Sequence, residues 1–449
     1  MTTTTTLNAM LLDKAQQHAP KSAEMFEEAK RRVPGGAVRN RFWWPLPIYV
    51  ERGEGPYVFD IDEHRYIDCN LAFGPLVLGH RHPAVTAAIE DQLARGVIFG
   101  APSSHELELA GLITEHVVGA DWLCFLNSGT EAVHAAIRIA RAASGRSKVG
   151  KFEGGWHGWT DTAMASFGRS SSDATRPGPM SDSLGVPDSA LAEMVVLPYN
   201  DFAAIDIIKD RAGEMACVII EAVQGGAGGI PSRSDFLRAV ETACRQCGVY
   251  FILDEVVTGF RLGASGAAGL YDVTPDLTTL GKAIGGGLPI GAVCGKEELR
   301  NVIEKPGAHV VIAGTFSANP VTLAAGQAQL MTLLESPHTY PELNSLGERL
   351  REGVQAVCAD EGVKARVTGE GSLWGLHVTD VQPSSMRDRV NANHQVARAL
   401  PMYLNREGVM MSGPIHLGFL STEHTPAHVD QIVEAHRRAF AEMRKDGLL

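Results

Sequence analysis

An acid and a lysine stand at the ends of two apolar runs. Val249-Tyr-Phe-Ile-Leu-Asp254-Glu255 is an apolar stretch of strand length that stops at two carboxylates, and Leu277 to Leu280 leads into Gly281-Lys282. Each run reads as a buried parallel strand, and in open α/β sheets ligands bind at the carboxyl ends of the strands. Asp254 and Lys282 are therefore expected at one crevice. A buried ion pair is one reading, since structural pairs also perturb pKa values. Gly285, Gly286 and Gly287 favour another, because they clear space after the lysine for a bulky group bonded to its amine. Pyridoxal 5′-phosphate asks for this layout: a lysine amine to carry it and an acid to keep its ring nitrogen protonated.

A phosphate site lies upstream. Leu123-Cys-Phe-Leu-Asn127-Ser128-Gly129-Thr130-Glu131-Ala132 reads as a short strand, a small-residue turn and a helix with Ala135, Ala136, Ile139 and Ala140 at helical spacing. Free N–H groups and the dipole of such a helix start attract an anion, although Ser-Gly-Thr alone is equally an N-cap.

Asn127-Ser-Gly-Thr-Glu-Ala, Phe152-Glu-Gly-Gly-Trp-His157-Gly, Asp254-Glu-Val-Val-Thr-Gly-Phe-Arg261, Gly281-Lys282 and Gly314-Thr315-Phe-Ser-Ala-Asn-Pro320 together resemble class III (subgroup II) PLP-dependent aminotransferases. The resemblance covers almost the whole chain. Gly259-Phe-Arg261 and the tail Gly418-Phe-Leu-Ser-Thr-Glu-His424-Thr resemble the glutamate-1-semialdehyde 2,1-aminomutase branch. The resemblance implies an α/β, fold-type I transferase: a large domain with a mainly parallel sheet over 76–335, a smaller α+β domain over 336–449, and residues 1–75 packed with the latter. It implies a homodimer in which Thr315 reaches the phosphate of the partner's site. Lys282 would carry the cofactor and shuttle a proton, and Asp254 would hold the ring nitrogen's proton. Ser128, Gly129 and Thr130 would bind the phosphate, Trp156 would stack on the ring with His157 behind it, and Val256 counts among the cofactor-binding residues. One departure is Glu221-Ala222-Val-Gln224, where the family usually has proline after the glutamate. Gln224 is still expected near the substrate.

Composition sets limits. The chain has 449 residues, of which 45% are hydrophobic, enough for a large core. A formal net charge of −12 and the lack of a basic run argue against nucleic-acid or anionic-membrane partners, leaving small molecules, an amino donor and a keto acceptor. Seven scattered cysteines fit free thiols in a reducing compartment. With no signal-peptide pattern at Met1-Thr-Thr-Thr and no apolar run long enough to span a bilayer, a cytoplasmic protein is expected.

Along the chain, residues 1 to about 20 read as polar and mobile. Arg39-Asn-Arg41-Phe42-Trp43-Trp44-Pro-Leu-Pro sets two arginines beside aromatic residues. They stack as surface pairs or form a substrate lip, and the resemblance favours a carboxylate-binding Arg39 or Arg41. Tyr57–Asp60 and Arg65–Asp68 read as a hairpin. His80 and His82, like His424 and His428, have near-metal spacing but read as loop and cap residues, so no metal is expected. From Trp122 to Cys294 apolar runs alternate with helical patterns, which means a mainly parallel sheet. Residues 161–189 interrupt it as a long polar loop, a lid in the resembling branch or a plain surface loop. Cys244-Arg-Gln-Cys247 closes a helix and reads as structural. Gly281-Lys282-Ala283 fails as a nucleotide P-loop.

The function expected is an aminotransferase acting by a ping-pong mechanism on an amino acid, with a β-amino or aromatic one suggested by Trp43, Trp44 and Phe73. An aminomutase or racemase would use Lys282 and Asp254 in the same way. Arg261, the competing candidate for the substrate carboxylate, reads as a structural partner of Glu255 or a nearby acid.

Overall fold

A computed structural model describes residues 4–38, 43–307, 309–389, 392–411, 413 and 417–449. Arg39 and Arg41 lie outside the described residues.

The apolar runs become the centre of the molecule. A seven-stranded sheet has the order Trp122–Leu126, Gly291–Gly295, Leu277–Gly281, Tyr250–Asp254, Met215–Ile220, Lys148–Phe152 and Met194–Leu197. Gly291–Gly295 runs antiparallel to both its neighbours, and the other pairings are parallel. Met215–Ile220 is buried at every residue, as a strand covered by helices on both faces must be. This is the fold-type I α/β architecture.

The helix after the first of these strands, Gly129–Ser144, starts where Ser128 Oγ accepts the Glu131 N–H at 3.2 Å. Its Ala132, Val133, Ala135, Ala136, Ile139 and Ala140 are buried, and it ends at Gly145 with φ 69°. The sheet thus receives one wide apolar stripe, and small side chains let the helix lie close.

Residues Val50–Glu54, Tyr57–Asp60 and Arg65–Asp68 form an antiparallel meander, and Val409–Met410 adds to its edge beside Arg65–Asp68. Arg366–Thr368, Leu373–His377 and Leu417–Phe419 make a further antiparallel sheet. The amino end departs from expectation. Thr4–His18 is a helix whose Leu7, Leu11 and Ala15, four apart, are buried. Its Lys14 Nζ lies 3.0 Å from Glu442 Oε1. The threonine run masked that spacing. Among the described residues no helix is long and apolar enough to cross a membrane.

Candidate active site

Three strand ends and one helix start converge on a cavity of about 410 Å³. Asn127, Ser128, Gly129 and Thr130 border it from one side, Trp156 and His157 from another, and Asp254, Val256 and Lys282 from the sheet. Ala72, Leu288, Pro289 and Ile290 supply an apolar wall.

Asp254 closes its strand at 3% exposure. Its Oδ1 accepts the Val256 N–H at 3.1 Å and the Thr279 hydroxyl at 3.0 Å, and its Oδ2 accepts from His157 Nδ1 at 2.6 Å. Burial lowers the His157 pKa, with Asp254 pulling the other way, so a neutral ring donating from Nδ1 suits the site. Among the described residues, His157 Nε2 is buried without a partner.

Lys282 follows its strand at φ 47°, a left-handed value that a lysine adopts only under constraint. The glycines after it serve a different end from the one expected. A Cβ on Gly285 would strike Ile290 Cγ2 at 2.6 Å, and one on Gly286, at φ 58°, would strike the Ala325 carbonyl oxygen at 2.6 Å. They seat the lysine turn against its backbone neighbours, and of the three it is Gly287 that borders the cavity.

The anion turn is tightly built. A Cβ on Gly129 would lie 2.8 Å from Val256 Cγ1, and one on Gly158 would lie 2.6 Å from Thr130 Oγ1. Ser128 Oγ caps the helix, and Glu131 Oε2 turns back to accept the Asn127 N–H at 2.6 Å. The Gly129 and Thr130 N–H groups belong to the first helical turn, whose donors have no partner within the helix. A buried carboxylate, a lysine and a helix start on one cavity are the donor set that pyridoxal phosphate needs, so the residues fit that group.

Around the turn after Lys148–Phe152, the Trp156 N–H donates to Glu221 Oε1 at 2.7 Å, and the Trp156 ring meets Phe167 edge-on at 4.7 Å between centroids. Burial, with Asp254 nearby, raises the Glu221 pKa, while the N–H groups of Trp156 and Gly225 lower it. Phe167 belongs to the long polar segment, which carries its own anchors. Asp182 accepts the Phe167 and Gly168 N–H groups at 2.5 and 2.9 Å. Arg387 bonds the carbonyls of Ser171 and Asp173 at 3.0 and 2.9 Å while pairing with the buried Glu153 at 2.6 Å. Sequence reasoning missed Arg387, which sits more than two hundred positions away in a short polar stretch with no periodic signal.

Other expected residues fall elsewhere. Gln224 is fully buried, donates to the Glu153 carbonyl at 2.7 Å, and is not among the residues bordering the cavity. Thr315 is exposed and also outside that lining, beside the exposed Phe316. Arg261 is structural, but not as a partner of Glu255. It is fully buried, and its Nη1 donates to Ser372 Oγ at 3.1 Å and the Leu420 carbonyl at 3.0 Å. Glu255 is satisfied by Thr258 Oγ1 at 2.6 Å and the N–H groups of Ala267 and Ala268. A one-residue-type pairing rule could not see that carbonyls, rather than a carboxylate, would take the guanidinium.

Three of the four paired histidines have ordinary partners, and the His424 and His428 rings meet edge-on. His80 Nε2 bonds Asp68 at 2.8 Å, His424 Nδ1 accepts the Ser421 N–H at 3.1 Å, and His428 completes a capping box with Thr425. Among the described residues no group of three or more His, Cys, Asp or Glu is placed to hold a metal ion.

The family model for "Aminotransferase class-III" matches residues 40–414. A glutamate-1-semialdehyde 2,1-aminomutase 2 of Exiguobacterium sp. is 37% identical over 432 residues, covering 95% of this chain and 98% of that protein. An omega-transaminase structure from Sphaerobacter thermophilus superposes with TM-score 0.89 at 35% identity, over 94% and 98% of the two chains. A beta-phenylalanine aminotransferase structure from Variovorax paradoxus does so with TM-score 0.87 at 33% identity, over 99% of each.

Proposed function

Because this chain belongs to the class III aminotransferases, PLP-dependent transaminases, we propose that it moves an amino group between an amino acid and a keto acid in two half-reactions at the cavity around Lys282. The observation that carries the reading is the meeting of Lys282, Asp254 and the Ser128–Thr130 helix start on one cavity. Bound pyridoxal phosphate supplies an aromatic ring that draws electrons from the substrate carbon.

This chain's residues do the rest. Lys282 Nζ would hold the cofactor, and its amine, when not carrying it, would take and return the proton of the substrate carbon. Asp254 would keep a proton on the ring nitrogen, and His157 fixes the carboxylate through the 2.6 Å bond. The Gly129 and Thr130 N–H groups and the Thr130 hydroxyl would receive the phosphate at the positive end of the helix. Trp156 would cover the ring, and Val256, which borders the same cavity, would help to hold it.

The substrate is read as an amino acid, with β-amino and aromatic ones foremost. The wall of Leu288, Pro289 and Ile290 and the similarity to a beta-phenylalanine aminotransferase over the full length support this. Arg39 or Arg41 is the partner for its carboxylate. The chain is read as a homodimer in which Thr315 reaches the partner's phosphate site, supported by exposed Phe316 and Val311 beside it. Residues 76–335 are read as the cofactor-bearing domain, 336–449 as the smaller one, and 1–75 as packed beside it, supported by the strand pairing of Arg65–Asp68 with Val409–Met410.

The similarity to aminomutases at 37% identity favours a second reading, an intramolecular transfer on the same residues. Titrating the cofactor-loaded protein with a panel of amino donors, without acceptor, separates the two. A transaminase releases one equivalent of keto product per site as the visible band fades, and a keto acid restores the band. Isomerised amino acid without keto product from every donor would overturn the transaminase reading.

A further inference from the structure

The turn Gly155-Trp156-His157 is held at three successive residues by charged side chains from three neighbouring strands. Lys151, in Lys148–Phe152, donates from Nζ to the Gly155 carbonyl at 2.7 Å. Glu221, one residue past Met215–Ile220, accepts the Trp156 N–H at 2.7 Å. Asp254, at the end of Tyr250–Asp254, accepts from His157 at 2.6 Å. These three strands lie side by side in the sheet, and the three side chains are 1%, 4% and 3% exposed.

Only Asp254 has a part in the chemistry so far described. A lysine with its ammonium buried on carbonyl oxygens weakens the fold relative to an apolar side chain of the same length. Burial lowers its pKa to about 8, with Asp182, Glu221 and Glu153 pulling upward. Packing alone does not call for such a residue. What it does provide is direction: a hydrogen bond to Gly155 oxygen and another from Trp156 nitrogen grip the two ends of a single peptide group, the one that joins Gly155 to Trp156. That fixes the plane from which the Trp156 side chain leaves.

We propose that Lys151 and Glu221 are positioning residues, which hold the Gly155–Trp156 segment so that the indole covers the cofactor and His157 stays on Asp254. The proposal rests on the reading of Trp156 as the cofactor's cover. It acts through backbone atoms, and neither residue is among those bordering the cavity.

Lys151→Met and Glu221→Leu test it, the latter leaving no acceptor for the Trp156 N–H, with Trp156→Ala as reference. The readouts are the dissociation constant for pyridoxal phosphate added to the cofactor-free chain, the visible circular dichroism per bound cofactor, and kcat and KM. Each variant should weaken cofactor binding about tenfold and lower kcat by about tenfold to a hundredfold, as for the loss of one charge-assisted bond, with KM for the donor changed little. The dichroism should fall as the ring loses its fixed cover. Added to Trp156→Ala, either substitution should cause no further loss of dichroism. Wild-type affinity and dichroism in Glu221→Leu overturn the proposal, and this variant decides alone if Lys151→Met does not fold. An undiminished further loss in the Trp156→Ala background also overturns it, since the anchors would then act on the fold at large. Wild-type behaviour of Trp156→Ala itself removes the cover reading, and the proposal with it, while leaving the transaminase reading intact.

Discussion

Replacing Asp254 by asparagine isolates a single charge. At 3% exposure the carboxylate is screened by protein rather than water, so an effective dielectric of about 20 applies, and an ion pair at about 4 Å is then worth about 4 kcal/mol. Losing it where the ring nitrogen must stay protonated corresponds to about a thousandfold in kcat, at 1.36 kcal/mol per decade. The fold should tolerate the change. An asparagine oxygen can still accept from the Val256 N–H and the Thr279 hydroxyl. Its amide would face His157 Nδ1, and because His157 Nε2 has no partner among the described residues the ring can move its proton there and accept instead. The assay is a stopped-flow half-reaction with the preferred donor, beside the thermal midpoint of the cofactor-free chain. A midpoint within a few degrees of wild type with turnover down about a thousandfold is expected. Turnover within about threefold of wild type would refute the role given to the charge.

Further outcomes follow from other residues. Alanine at whichever of Arg39 and Arg41 binds the substrate should raise KM for amino acids about tenfold to a thousandfold, for roughly 1.5–4 kcal/mol of lost contact, and leave simple amines nearly unchanged. Equal losses for amines and amino acids in both variants would show that neither reads the carboxylate. Co-expressed Lys282→Ala and Thr315→Ala chains should be more active together than the sum of each alone, because one site of the mixed dimer regains both residues. No gain would place Thr315 outside the partner's site. Burial lowers the His436 pKa to about 4, so between that value and 6.5 the unfolded chain binds more protons there than the folded one. Its contribution is full above about pH 6.5 and falls by roughly 1.4 kcal/mol per pH unit below it. Thermal midpoints of wild type and His436→Phe should therefore diverge with pH over that window, in favour of the variant as pH falls. A constant difference would contradict the assignment.

The central sheet was legible because buried strands are short apolar runs bounded by polar turns. All of the runs read between Trp122 and Cys294 are strands of one sheet, within a residue or so at their ends. Lys282, Asp254 and the Ser128–Thr130 turn stand out because strand ends deliver chemistry to one edge. Legibility failed where a role depends on distant backbone. Arg261 looked like a partner for an acid, yet carbonyls of Gly74 and Leu420 take it. Gly285 and Gly286 looked like room for a ligand and proved to be room for Ile290 and the Ala325 carbonyl. Lys151 passed unremarked within a strand, since a sequence shows an ammonium but not its burial.

The most direct measurement is reductive trapping. Borohydride treatment of the cofactor-loaded protein, followed by peptide mass mapping, should fix one pyridoxyl phosphate per chain on Lys282, and Lys282→Ala should retain the cofactor weakly and lose turnover. Label on another lysine, or a Lys282→Ala chain that still turns over, would contradict the account.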